Sequence, residues 1–205
     1  MILTHGANSI PRGLYFDIGG TKYKCVKIGS KIWMAENLNF IDNGIALGLS
    51  GAQATDPAAW YVNNDEVTYG LNGKRYGLLY NAPAVQYLQA NRGQFFPGWH
   101  VPSENELDTL VNYCGGSSVA GLHLKSDSSD WVNGPGDNSS GFSILPSGNT
   151  VNGTAFNDIG SFAYLYTRTQ NYPPGCAFKR FNTGDGVYSS DSVPQAAMSI
   201  RLIKD

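Results

Sequence analysis

Charge is scarce in this chain: only 15% of its 205 residues are Asp, Glu, Lys or Arg, and the formal net charge is -2. No stretch clusters Lys and Arg. Nucleic acid is therefore excluded as the main partner, because neutralising a phosphate backbone needs a basic patch. Long apolar runs are missing too. Nothing approaches the roughly 20 residues of a bilayer-spanning helix, so no direct membrane insertion is expected. The opening MILTHGANSIPRG lacks the charged region and apolar core of a secretory leader. Export then requires a trimmed leader or another way out of the cell, for example on a virus particle. Cysteine is limited to Cys25, Cys114 and Cys176, far apart and odd in number. Without a Cys-x-x-Cys pair or a Cys/His cluster, no structural zinc is expected, and buried free thiols are preferred over one disulfide.

What the chain does hold is apolar and turn-forming residues. Hydrophobic residues make up 41% and aromatics 12%, and there are 25 glycines among many Asn, Ser and Thr. Such a composition builds a real core wrapped in turns and loops. The clearest local signal is Gly98-Trp99-His100-Val101-Pro102-Ser103-Glu104-Asn105-Glu106. Pro102 holds the chain extended, Ser103 caps a helix, and Glu106 completes a capping box. Glu104, Glu106 and Asp108 suit the first turn electrostatically. Leu107, Leu110, Val111 and Cys114 share one face at helical spacing, and Gly115-Gly116 ends the element. This predicts a helix over 103–114. Asn81 as cap and Pro83 in the first turn predict another over 82–92.

The remainder reads as strands and loops. Residues 1–13 form an arm. Tyr15-Phe16-Asp17 and Tyr23 to Ile28 flank a Gly19-Gly20 turn as a hairpin, followed by Lys31 to Met34. Asp17-x-Gly-Gly is a hairpin turn, since no phosphate-binding helix follows it. Residues 39–75 are irregular, with a tight turn over 69–74. After Gly116 no further helix is expected: Leu122 to Lys125 reads as extended, and strands fall near 141–146, 162–167, 176–181, 187–189 and 198–203. The order gives an α+β fold with two helices, antiparallel sheets and long loops, its terminal strands paired. Alternation places Tyr164 and Tyr166 on one face with Arg168, displayed to solvent, and Leu165 in the core. It also places Ile200 and Leu202 opposite Ser199 and Arg201.

Candidate chemistry is thin. His100, between Trp99 and Val101, reads as a satisfied core histidine rather than a base. His5 and His123 have no partners at ligand spacing. Asp127, Asp130, Asp137 and Asn138 offer oxygen ligands of the kind calcium takes, but a solvated loop is the preferred reading and no cofactor is assigned. No nucleophile and base pair stands out, so no enzyme is expected.

Trp33 to Leu38, Tyr76 to Tyr80, Gly98 to Ser103, Leu124-Lys125 with Trp131, Gly141 to Pro146 and Ser199 to Asp205 occur in an order that resembles the Fibrobacter succinogenes major paralogous domain. The resemblance covers nearly all of the chain after residue 14. It implies one C-type-lectin-like domain over 14–205, in a family whose members are mostly exported or surface proteins. Some are similar to the variable proteins of diversity-generating retroelements, which display a hypermutated C-terminal surface. The segment 164–197 is the least family-like part and lies between well-matched ends, so it is the expected variable region. Its composition is that of adaptable recognition surfaces. The candidate ligand-binding residues are Tyr164, Tyr166, Arg168, Gln170, Asn171, Tyr172, Phe178, Lys179, Arg180, Asn182, Asp185, Tyr188, Ser190 and Asp191. The expected partner is a protein or glycan on a target cell or host, met at a cell or virion surface. The alternative is an oxidase resembling formylglycine-generating enzymes. Those use a cysteine pair to bind copper, and Cys176 has no second cysteine nearby.

Overall fold

The computed structural model describes residues 14–71, 76–132 and 134–205. The 1–13 arm, with His5, lies outside the described residues, as do positions 72–74 of the expected turn over 69–74. The strands are β1 Tyr15–Ile18, β2 Thr21–Ile28, β3 Lys31–Met34, β4 Ala46–Leu47, β5 Ala58–Tyr61, β6 Leu78–Asn81, β7 Trp99–His100, β8 Asn149–Val151, β9 Ala155–Asn157, β10 Ala163–Tyr166, β11 Ala177–Phe181, β12 Val187–Asp191, β13 Ala196–Met198 and β14 Ile203–Lys204. The α-helices are α1 Ala82–Ala90, α2 Arg92–Phe95, α3 Glu104–Tyr113 and α4 Ala120–Leu124. The fold is mixed α/β, with short helices and several largely antiparallel sheets.

Local chemistry sets the two longest helices. Ser103 accepts from the Glu106 backbone N–H while the Glu106 carboxylate accepts from Ser103 N–H, closing the capping box of α3. Leu107, Leu110 and Val111 are the buried stripe of that helix, each contributing about 1.5–3 kcal/mol by leaving water. The Asn81 side chain accepts from Ala84 N–H to cap α1, with Pro83 in the first turn. At the β1–β2 turn, Asp17 accepts from Gly20 N–H, and both Gly19 and Gly20 take positive φ, a conformation that glycine adopts at no steric cost.

The terminal strands meet in one five-stranded sheet of order β1-β2-β3-β14-β7, and Ile203 lies opposite both Trp33 and His100. The expected continuous C-terminal strand is split, however. Ala196–Met198 pairs with β6 and β8 in a second sheet, and residues 199–202 cross between the sheets. There Leu38 N–H donates to Ile200 O and Met34 N–H to Leu202 O. Two other expectations also change. Leu122 to Leu124 belongs to the short helix α4, too brief to show a period. Residues 141–146 form no strand beyond a bridge between Ile144 and Lys125, since Ser143 turns to positive φ.

Three apolar clusters fill the interior. The first gathers Met34, Leu38, Tyr80, Val85, Leu88, Ile200 and Leu202. The second lies under α3 with Trp33, Phe142, Leu165, Phe181 and Ile203. The third surrounds Trp60. Burial pushes Tyr23 up to about 12 and raises Tyr80, Tyr164 and Tyr166 further, with the Asp158 carboxylate adding to the effect at Tyr164. An unfolded phenol ionises near 10. The native state thus holds more protons than the unfolded one above that pH. The stabilisation is whole below about 10 and is lost as pH rises toward and past 12. In an alkaline titration, these four phenolates are expected to appear together with unfolding. Gradual ionisation of all tyrosines near pH 10 in still-folded protein would overturn this.

Candidate functional site

The third sheet runs β10-β11-β12. Its register aligns Tyr164, Arg180 and Tyr188 in one row, and Tyr166, Phe178 and Ser190 in another on the same face. The opposite face carries Leu165, Lys179 and Ser189, and then Ala163, Phe181 and Val187.

The expected display of Tyr164 and Tyr166 is corrected here: they are 7% and 0% exposed. Strand β10 lies between two cores, so alternation sorts its side chains between cores rather than between core and water. Tyr164 and Tyr166 enter the first cluster, while Ala163 and Leu165 enter the second. The Tyr166 hydroxyl lies 2.8 Å from both Ser192 Oγ and Ala196 O, and the Tyr164 hydroxyl donates to Asp158 Oδ2 at 2.6 Å. Phe178 and Lys179, also expected at the surface, are buried. Phe178 packs edge-on to Tyr164. Lys179 reaches under α3, where its ammonium donates to Asp108 Oδ1 and Ser189 Oγ, both at 2.5 Å.

Six of the candidates are open to solvent: Arg168, Asn171, Tyr172, Asp185, Tyr188 and Ser190. Gln170, Arg180, Asn182 and Asp191 are half-buried. Tyr172, 76% exposed, crowns the loop between β10 and β11. That loop joins β12 through Asn171, whose amide donates to Asp191 Oδ1 at 3.2 Å and to Glu104 Oε2 at 3.0 Å. The 168–174 loop thus meets the end of β12, with the turn 182–186 at the other end of that strand.

This region is tied down largely through its backbone. Gln86 Nε2 donates to Arg168 O, Arg168 N–H to Pro102 O, Gly121 N–H to Asp185 O and Val187 N–H to Ser117 O. The Lys125 ammonium lies 2.7–3.3 Å from the carbonyl oxygens of Gly134, Asn182, Thr183 and Gly184 and 5.1 Å from the Trp131 ring centroid. Burial pulls its pKa down, against the opposing pull of Asp185. Behind β10, Arg201 is 1% exposed. Its Nε donates to Asn37 Oδ1, and its terminal nitrogens reach Phe142 O and Ser143 O. Burial draws this guanidinium down to about 9, still charged at neutral pH. The sequence reading placed Lys125 and Arg201 within motifs but gave them no role. Only Arg201 carried a signal, a lone cation inside an apolar run.

Several titratable groups elsewhere serve internal bonds. His100 Nδ1 lies 2.5 Å from Asp205 Oδ1 and Nε2 lies 2.9 Å from Glu106 Oε1, so both ring nitrogens are engaged. At Glu106 burial works upward, but the bonds from Ser103 and His100 outweigh it and hold the carboxyl below its usual range. Asp205 is lowered by its bond to His100 and by Arg92. All three cysteines are free and buried, and burial pushes each thiol up to about 11. Such thiols are poor nucleophiles at neutral pH. Asp137 binds His123 and Ser139, and Asn138 accepts from Ser143. Among the described residues, no group of three His, Cys, Asp or Glu side chains is placed to hold a metal ion, and no helix is long and apolar enough to cross a membrane.

No curated protein and no solved structure matches the chain. The family model for the Fibrobacter succinogenes major domain matches residues 26–204, and the chain therefore belongs to that family.

Proposed function

We propose that this chain is a ligand-binding display protein on a C-type-lectin-like scaffold. Residues 168–174 and the outer side of β12 would meet a protein or glycan on a target cell or host, with the chain itself at a cell or virion surface. One observation carries the reading. The face is anchored mainly by bonds to its own carbonyl and N–H groups, made by Lys125, Gln86 and neighbouring backbone. Apart from Asn171, whose amide ties the loop to Glu104 and Asp191, side chains on such a face can change without loosening the frame, which is what a diversified recognition surface requires. Rigid framing also limits the entropy lost on binding. The oxidase alternative has nothing similar in its favour, because Cys176 is buried against Gln86 and Tyr166 rather than beside a second thiol.

The test compares labelled protein on glycan and protein arrays with a variant carrying Arg168→Ala, Tyr172→Ala and Tyr188→Ala. Array signals are expected to fall at least tenfold, with each substitution moving stability by only about 0.5 kcal/mol, as exposed positions do. Val67→Ala, at a residue 59% exposed on the π-helical turn Glu66–Leu71, should change neither. Array signals indifferent to the triple substitution would overturn the reading.

A further inference from the structure

Arg180 stands out in the row Tyr164, Arg180 and Tyr188 of the third sheet. Its guanidinium carbon lies 5.7 Å from the Phe162 ring centroid and 5.1 Å from that of Tyr188. Two aromatic groups therefore hold the cation from either side. Its Nε is buried and has no hydrogen-bond partner among the described residues. No carboxylate there comes within ion-pairing distance of it, in contrast to Lys179, which rests on Asp108. A guanidinium is a rigid fork of five donors that matches a carboxylate with two parallel bonds. Held this way, the fork is already oriented; with Nε buried, a ligand would meet the terminal nitrogens of the half-buried side chain.

The surroundings narrow the ligand. One acid, Asp158, is joined to the row through the Tyr164 hydroxyl. Its negative charge disfavours a dianion such as a phosphate monoester and leaves room for a single carboxylate. Ser190 is exposed on the same face of β12, one row from Tyr188. Asn182 follows Arg180 two residues on. Hydroxyl, amide and carboxylate groups are the partners that sugar hydroxyls use. The Tyr188 ring, 48% exposed, adds apolar area beside them. A simple acid or an acidic side chain would use the guanidinium alone, whereas a carboxylated sugar ring uses all of these groups together.

We propose that Arg180, framed by Phe162 and Tyr188 and rimmed by Asp158, Asn182 and Ser190, is a binding site for acidic saccharides of the uronic or sialic acid class. The proposal rests on the display reading and names a ligand class for that face. It is tested by following the Arg180 side-chain Nε–H resonance while titrating glucuronate, N-acetylneuraminate, glucose, acetate and an acidic peptide at constant ionic strength. At least one sugar acid should shift the resonance saturably, with glucose, acetate and the peptide at least tenfold weaker. Arg180→Gln and Arg180→Lys should each lose at least tenfold in affinity, read at Tyr188 ring signals, because neither side chain carries the fork. Tyr188→Ala should weaken binding in a protein that keeps Arg180, which serves if the Arg180 variants fail to fold. Equal binding of acetate or glucose, tighter binding of the peptide, no response to either sugar acid, or full binding by folded Arg180→Gln would each overturn the proposal. In any of those cases, array signals still lost in the Arg168, Tyr172 and Tyr188 triple variant would leave the display reading standing.

Discussion

Replacing Arg201 by methionine should lower the unfolding free energy by about 3–5 kcal/mol, the range seen when a buried charge's partners are stranded. The Arg201 side chain is the hub of a sealed polar network. It serves Asn37 Oδ1, Phe142 O and Ser143 O and lies 4.6 Å from the Phe142 ring centroid. Asn37 in turn donates to Tyr76 O and Ser199 Oγ, and Ser199 Oγ meets Ser147 Oγ at 2.9 Å. Methionine fills most of the volume but offers no donor, so several buried acceptors lose their partner together. Arg201→Lys should recover little, because one ammonium cannot span acceptors on three residues. The damage should reach β10, since Tyr166 N–H donates to Ser199 O and Ser199 N–H to Tyr164 O. Urea unfolding measures the effect. A loss below about 1 kcal/mol in Arg201→Met would mean that the network repacks or admits water, and that Arg201 is not its hub.

Local signals carried far in this chain, and non-local ones did not. The capping box at Ser103 and the Asn81 cap with Pro83 are satisfied within a few residues, so the sequence located α3 and α1 nearly to their ends. The Asp17 turn is likewise self-contained. The family resemblance was legible for another reason: its motifs are the packed and anchoring residues, and they keep their order. The fate of Tyr164 and Tyr166 was illegible by alternation, because period two says only that neighbours face opposite ways. It does not say that one side is wet. Phe162-Ala163-Tyr164-Leu165-Tyr166-Thr167 is nearly free of charge, and a continuous apolar run of this kind fits a strand covered on both faces. Met198 to Ile203 likewise alternates without a break, yet it leaves one sheet and enters another, and only the pairing partners mark the change. Lys125 was hidden differently. Its acceptors are backbone carbonyls up to 59 residues away, which no side-chain pattern announces.

Lys125→Met is the substitution expected to join stability and recognition most directly. Methionine keeps an unbranched apolar stem and removes only the ammonium. That ammonium has three hydrogens for four carbonyls, at 2.7 Å from Gly134 O, 2.9 Å from Gly184 O, 3.1 Å from Asn182 O and 3.3 Å from Thr183 O. Three of these carbonyls belong to the turn that carries β11 back as β12. That turn fixes where Tyr188 sits opposite Arg180. The turn is partly exposed, so water can replace some of the lost bonds, and the cost should be about 2–4 kcal/mol rather than the full price of four orphaned acceptors. Loss of the contact with the Trp131 ring adds to it. The loss should be unevenly distributed: amide exchange should accelerate most at residues 182–188 and least at α1, which Lys125 does not touch. Signals on glycan or protein arrays should weaken even though no displayed side chain has changed, because the row Tyr164, Arg180 and Tyr188 is no longer held in register. Uniform acceleration across the fold would show that Lys125 supports the whole core instead. Unchanged exchange in 182–188 with an unchanged urea midpoint would show that the turn holds itself, and the frame for the proposed binding face would then have to be sought elsewhere.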